Sequence, residues 1–212
     1  MGVPWVRSLS AGWVPFGGLP AIGLAACVLL TGCGPEDESG SAGTAHATGV
    51  APPDWRNATY TMTCDGVVPA SFEATLVNGA ARVPDDVDET PYYDYFDVRL
   101  EATASGDIDG DGVPDTVVLL QCSPQPSNGI LEEAQVFSGA HGRLGVLPSA
   151  TTLREATILA PLYDPAGLSV QDGDIIAAMK VYGPQDSHAS GPSQRMTVRW
   201  HWDGQEFVRI DT

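Results

Sequence analysis

Asp-Gly and Asn-Gly dipeptides set between short apolar alternations constrain this chain more than any other feature. Asx followed by Gly tolerates the left-handed backbone of a tight reversal, so each such pair predicts a turn between two strands. Asp65-Gly66 ends the β-branched segment Thr59–Cys64. Asn78-Gly79 separates Ser71–Val77, where Phe72, Ala74 and Leu76 alternate with polar residues, from Ala80–Val83. Asp172-Gly173 lies between Leu168–Val170 and Ile175–Tyr182, and Asp203-Gly204 between Met196–Trp202 and Phe207–Ile210. Phe96, Val98 and Leu100 alternate within Tyr95–Ala104, and Thr116–Cys122 is an apolar run typical of a strand covered on both faces. Leu131–Phe137 and Leu144–Leu147 flank a further turn at Gly139–Gly142. Only Thr151–Leu162 has room for a helix, which Pro161 would end. The pattern predicts a mainly β fold: a single antiparallel meander or sandwich-like domain over 55–212, with little helix.

The N-terminal quarter is organised differently. Arg7 precedes an apolar stretch that Gly17, Gly18 and Pro20 interrupt, and no acidic residue occurs before Glu36. The uninterrupted part, Ala21–Leu30, is too short to span a bilayer, which argues against a transmembrane or buried core helix. It closes on Leu30-Thr31-Gly32-Cys33, a string that resembles the lipobox of bacterial lipoprotein signal peptides. That resemblance implies cleavage after residue 32 and lipidation of Cys33 by a diacylglyceryl group and acyl chains such as palmitate. The mature protein would then sit on the extracytoplasmic face of the cell membrane, anchored by lipid. Residues 33–54 form the tether: Gly, Ser, Ala, Thr, Glu, Asp and Pro dominate, and Val50 is the one larger apolar residue before the final prolines.

Charge and cysteine usage narrow the partners. The formal net charge is −17, and losing Arg7 with the leader makes it −18. Nucleic acid is therefore a poor partner, while cations, basic proteins or plain solubility fit. With Cys27 in the leader and Cys33 lipidated, Cys64 and Cys122 remain. In an oxidising compartment they are expected to form a disulfide; two free thiols or half of a metal site is the alternative, but neither Cys-x-x-Cys nor a nearby His supports it.

Asp107-Ile108-Asp109-Gly110-Asp111-Gly112-Val113-Pro114-Asp115 carries the strongest chemical signal. Carboxylates at positions 1, 3, 5 and 9 can surround a hard cation, and Gly112 permits the reversal that would let the Val113 carbonyl join them. Position 12 is Val118 rather than a bidentate Glu, so this is not a helix–loop–helix hand. The string is similar to the Asp-x-Asp-x-Asp-Gly-x-x-Asp hairpin loops of the FG-GAP and integrin-propeller type. By that resemblance Asp107, Asp109, Asp111, Asp115 and the Val113 carbonyl would bind a structural Ca²⁺. A single copy excludes a propeller, and an unmetallated Asp-Gly turn is the plainer alternative. The leader, tether, Asp loop and closing Arg199-Trp200-His201-Trp202-Asp203-Gly204 also resemble uncharacterised lipoproteins of high-GC Gram-positive bacteria, which supports location and architecture only.

No nucleophile elbow, zinc-protease helix or phosphate-cradling Gly loop occurs. Tyr92, Tyr93 and Tyr95, with Trp200 and Trp202, are the candidate recognition surface for an envelope glycan or protein ligand, although the same rings suit a core. Two classes stand: a non-enzymatic, membrane-anchored binding module stabilised by Ca²⁺ and a disulfide, or an envelope hydrolase or sugar-processing enzyme whose carboxylates converge from separate strands.

Overall fold

The computed structural model describes residues 53–68, 70–85, 92–154 and 159–210. Cys33, its leader and all but the last two tether residues lie outside the described residues. Eleven strands follow in order: β1 Thr59–Met62, β2 Phe72–Thr75, β3 Ala80–Pro84, β4 Tyr95–Gly106, β5 Asp115–Gln125, β6 Leu131–Ser138, β7 Gly142–Val146, β8 Leu162–Gln171, β9 Asp174–Val181, β10 Gln194–Trp202 and β11 Phe207–Ile210. The protein is mainly β, and every pairing is antiparallel.

Two of its three sheets are meanders in chain order, β3-β4-β5-β6-β7 and β8-β9-β10-β11; the third is the pair β1-β2. The five-stranded sheet is the middle layer, and β5 shows why. Val117 and Leu119 face a core shared with Ile175, Ala177, Met179, Val198 and Trp200 of the four-stranded sheet. Val118, Leu120 and Cys122 face the opposite way, against Tyr60, Met62 and Ala74 of the β1-β2 pair. All five β5 side chains are fully buried. Alternation in a strand covered on both sides leaves no polar face, hence the apolar run. Each large buried side chain contributes about 1.5–3 kcal/mol of transfer free energy, so β5 anchors both cores.

Cys64 and Cys122 form a disulfide with their Cα atoms 5.5 Å apart, fastening the β1-β2 layer to the middle sheet. A buried polar network does the same a few residues away. Glu133 Oε2 accepts from the Thr63 N–H and hydroxyl, both at 3.1 Å. Gln135 Nε2 donates to the Thr61 carbonyl at 2.9 Å and to Glu133 Oε1 at 2.7 Å.

Two expectations need correction. Asn78 and Gly79 do take positive φ, 56° and 88°, but the strands they join belong to different sheets. A single bridge, Val77–Ala80, marks the corner, and Arg56 and Asn57 hold the turn from outside. Arg56 Nη2 donates to the Asn78 carbonyl at 2.6 Å, and Asn57 Oδ1 accepts from the Asn78 N–H at 2.9 Å. The helix expected over Thr151–Leu162 is, among the described residues, one 3-10 turn at Ala150–Leu153, capped by Ser149 and followed by extended backbone at Arg154. Asp203-Gly204 separates β10 from β11 as its sequence predicts, within the loop 203–206, where Asp203 Oδ1 accepts from both the Gln205 and Glu206 N–H groups. Asp172-Gly173 is the tight hairpin its sequence predicts, with Gln171 opposite Asp174.

Candidate metal centre

The Asp-rich segment is the tip of the β4-β5 hairpin. Gly106 pairs with Asp115, and residues 107–114 span the gap. Ile108 turns inward and is 4 % exposed, which pins the loop to the core. Its carboxylates then organise its own backbone. Asp107 accepts from the Gly110 N–H at 2.9 Å through Oδ1 and from the Gly112 N–H at 3.1 Å through Oδ2. Asp109 Oδ1 accepts from the Asp111 N–H at 3.1 Å, and Asp111 Oδ1 from the Val113 N–H at 2.7 Å. Gly110 and Gly112 take φ of 79° and 84°, left-handed values that a β-carbon would strain.

Asp115 is the closing anchor. It is fully buried. Its Oδ2 accepts from the Ile108 N–H at 2.7 Å and the Asp109 N–H at 3.1 Å, and its Oδ1 from the Gly139 N–H at 3.0 Å. One side chain thus ties the β4-β5 loop to the β6-β7 turn. Gly139 must be glycine for this contact, because a β-carbon there would lie 2.4 Å from the Pro114 carbonyl oxygen.

One oxygen each from Asp107, Asp109 and Asp115 lie within 4.8 Å of one another. Oxygens that close need little closure to share the ~2.3–2.6 Å shell of a Ca²⁺ ion. The donors are all hard carboxylate oxygens, a set suited to Ca²⁺ or Mg²⁺ and not to zinc or copper. The structure brings together three of the expected ligands. Asp111 lies outside that group, its Oδ2 3.6 Å from His141 Nε2. A groove of about 740 Å³ runs alongside, walled by Val113 and Pro114 of the loop and by Trp55 and Phe137, whose rings lie 4.9 Å apart.

The aromatic residues singled out from sequence do not form one surface. Trp200 is a correction: at 3 % exposure it belongs to the core between the two meanders and has no face to offer. Trp202 is half-buried against Phe207, with ring centroids 4.8 Å apart. Tyr93 packs edge-on to Phe96 at 5.8 Å, and Tyr95 lies beneath the Arg82 guanidinium at 4.2 Å. Tyr92 alone is well exposed, at 83 %. Sequence reasoning also passed over Asp174, a buried carboxylate bonded to Arg199 Nε at 2.6 Å and His201 Nδ1 at 2.7 Å. Burial would raise its carboxyl, but the bonds from His201 and Arg199 outweigh that and hold it below the ordinary range. Its signal was the alternation itself, since Arg199 and His201 share one face of β10.

Comparison with protein-family models, with curated proteins and with solved structures finds no match to this chain.

Proposed function

We propose that this protein is a lipid-anchored, extracytoplasmic binding module of the cell envelope, held to the membrane through Cys33 and stabilised by Ca²⁺ in the β4-β5 loop. The observation that carries the metal reading is the convergence of Asp107, Asp109 and Asp115 within 4.8 Å. The anchor reading rests on Leu30-Thr31-Gly32-Cys33, and the disulfide is in keeping with an oxidising compartment. The ion would neutralise carboxylates that the loop packs side by side and would fix Val113 and Pro114 as a wall of the adjacent groove. Its role is structural.

Thermal unfolding of the full chain in mild detergent tests the metal claim. An extracellular-type site with Kd ~10⁻⁴–10⁻³ M, given about 10 mM Ca²⁺, stabilises by about 1.4–2.7 kcal/mol. For a domain of this size that is a rise in Tm of roughly 3–10 °C, absent with chelator and absent in Asp109→Ala. Equal melting with and without Ca²⁺ would reduce the loop to an Asp-Gly turn. The anchor has its own readout: the mature protein gains the mass of a diacylglyceryl cysteine and partitions into detergent, and Cys33→Ser abolishes both. An unmodified N-terminus on the parent chain would contradict it.

A further inference from the structure

A second cavity, about 520 Å³, lies among the start of β6, residues 150–154 and 159–162, and the β9-β10 connection. That volume is in the range of small-molecule sites, and apolar walls with a few polar groups are their usual make-up. Leu131, Leu159, Pro161 and Leu162 supply the walls. Asp65 and Glu132 line the same space, brought from the turn after β1 and from β6.

Among the described residues, each carboxyl has one oxygen engaged by the fold. Asp65 Oδ2 accepts from the Ser149 hydroxyl at 2.7 Å, and Glu132 Oε2 from the Tyr163 N–H at 2.7 Å. Among the described residues, Asp65 Oδ1 and Glu132 Oε1 have no donor, and no basic side chain comes within the 4.0 Å of an ion pair with either acid. Arg154 and His188 line the cavity at greater range. Burial accordingly pushes Glu132 up to about 7; Glu101 and Asp65 add to the rise, while the Tyr163 N–H and Lys180 oppose it. Asp65 is raised by burial and by Glu133, against the Ser149 bond and Arg154.

We propose that this cavity binds a small primary amine, its ammonium group taken by the Asp65 and Glu132 carboxylates and its apolar body by Leu131, Leu159 and Leu162. An ammonium has three donors and no acceptor, which matches two carboxyls with oxygens to spare. A divalent cation would need six to eight oxygens, more than these walls offer. An anion would meet two acids in a desolvated space. The inference deepens the binding-module reading by naming a ligand class, and it does not depend on the Ca²⁺ loop.

The probe is n-butylamine, with n-butanol as its uncharged counterpart, titrated into the full chain in nonionic detergent with chelator present. The amine is expected to bind saturably at about pH 8 and at least about tenfold more weakly at about pH 5.5, where Glu132 is protonated. Glu132→Gln, which keeps the Tyr163 bond, and Asp65→Asn should each abolish binding while melting cooperatively. Absence of saturable binding, equal binding of butanol, or parent-like binding by both variants would overturn the proposal. Because chelator is present, failure here leaves the metal reading untouched.

Glu132 also has a stability signature that separates its role from simple packing. Its folded pKa is raised above the ordinary carboxylate value, so its contribution is full below about pH 4.5 and is lost as pH rises through about 7. Glu132→Gln should therefore flatten the decline of Tm between those pH values. An unchanged profile would show that the carboxyl titrates as if in water.

Discussion

Asp115→Ala is expected to lower the unfolding free energy by about 3–5 kcal/mol, more than any other single substitution in the loop. The estimate follows from three backbone N–H groups, those of Ile108, Asp109 and Gly139, that lose their acceptor at a site with no exposure. Each unsatisfied donor costs roughly 1–3 kcal/mol, and water entering near the hairpin tip will recover part of the sum. Asp115→Asn should fall between, since its carbonyl can still accept while its amide N–H₂ faces a donor. Chemical denaturation with and without chelator measures this. Because the anchor acts through backbone groups, most of the loss should persist when metal is removed. A cost under about 1 kcal/mol would mean that Asp115 does not hold the two turns together.

Replacing Cys64 and Cys122 together by alanine is expected to cost about 4 kcal/mol. The bridge closes a loop with a sequence separation of 58, and in the chain-entropy model that much constraint on the unfolded chain is worth this amount. For a domain of roughly 150 residues the loss corresponds to a fall in Tm of about 8–16 °C. Both cysteines are fully buried, so the double substitution also leaves space in the core beneath the β1-β2 pair. A reductant added to the parent protein under mildly denaturing conditions should reproduce most of the shift without creating that space. A fall of a degree or two in both experiments would mean that the β1-β2 layer is held by Glu133, Gln135 and apolar contact alone.

Local chemistry made the strands legible and left their assembly obscure. The Thr116–Cys122 run announced a strand covered on both faces, and two cores do meet on β5. Asp172-Gly173 announced its hairpin because two consecutive positive φ values are enough to set that register. Asn78-Gly79 encodes the same reversal, yet no ladder continues from it. The turn is held from outside by Arg56 and Asn57, over twenty residues before Asn78. Alternation placed Trp200 and Trp202 on one face of β10 but could not say that the face turns inward.

The candidate metal centre divides the same way. Spacing alone located Asp107, Asp109 and Asp115, because an eight-residue hairpin loop closed by Asp115 has few ways to fold. The anchoring of Asp115 to Gly139 was not legible, since the partner lies 24 residues away in a different turn. The Asp65–Glu132 cavity is assembled from several separate segments and has no linear motif at all.

Calorimetric titration of Ca²⁺ into metal-free protein, with Asp107→Asn and Asp111→Asn titrated beside it, decides whether the β4-β5 loop is a metal site. One site per chain with Kd ~10⁻⁴–10⁻³ M is expected. Affinity should be lost in Asp107→Asn and weakened far less in Asp111→Asn, whose carboxylate lies outside the converging group. No saturable heat in the parent protein, or loss confined to Asp111→Asn, would contradict it.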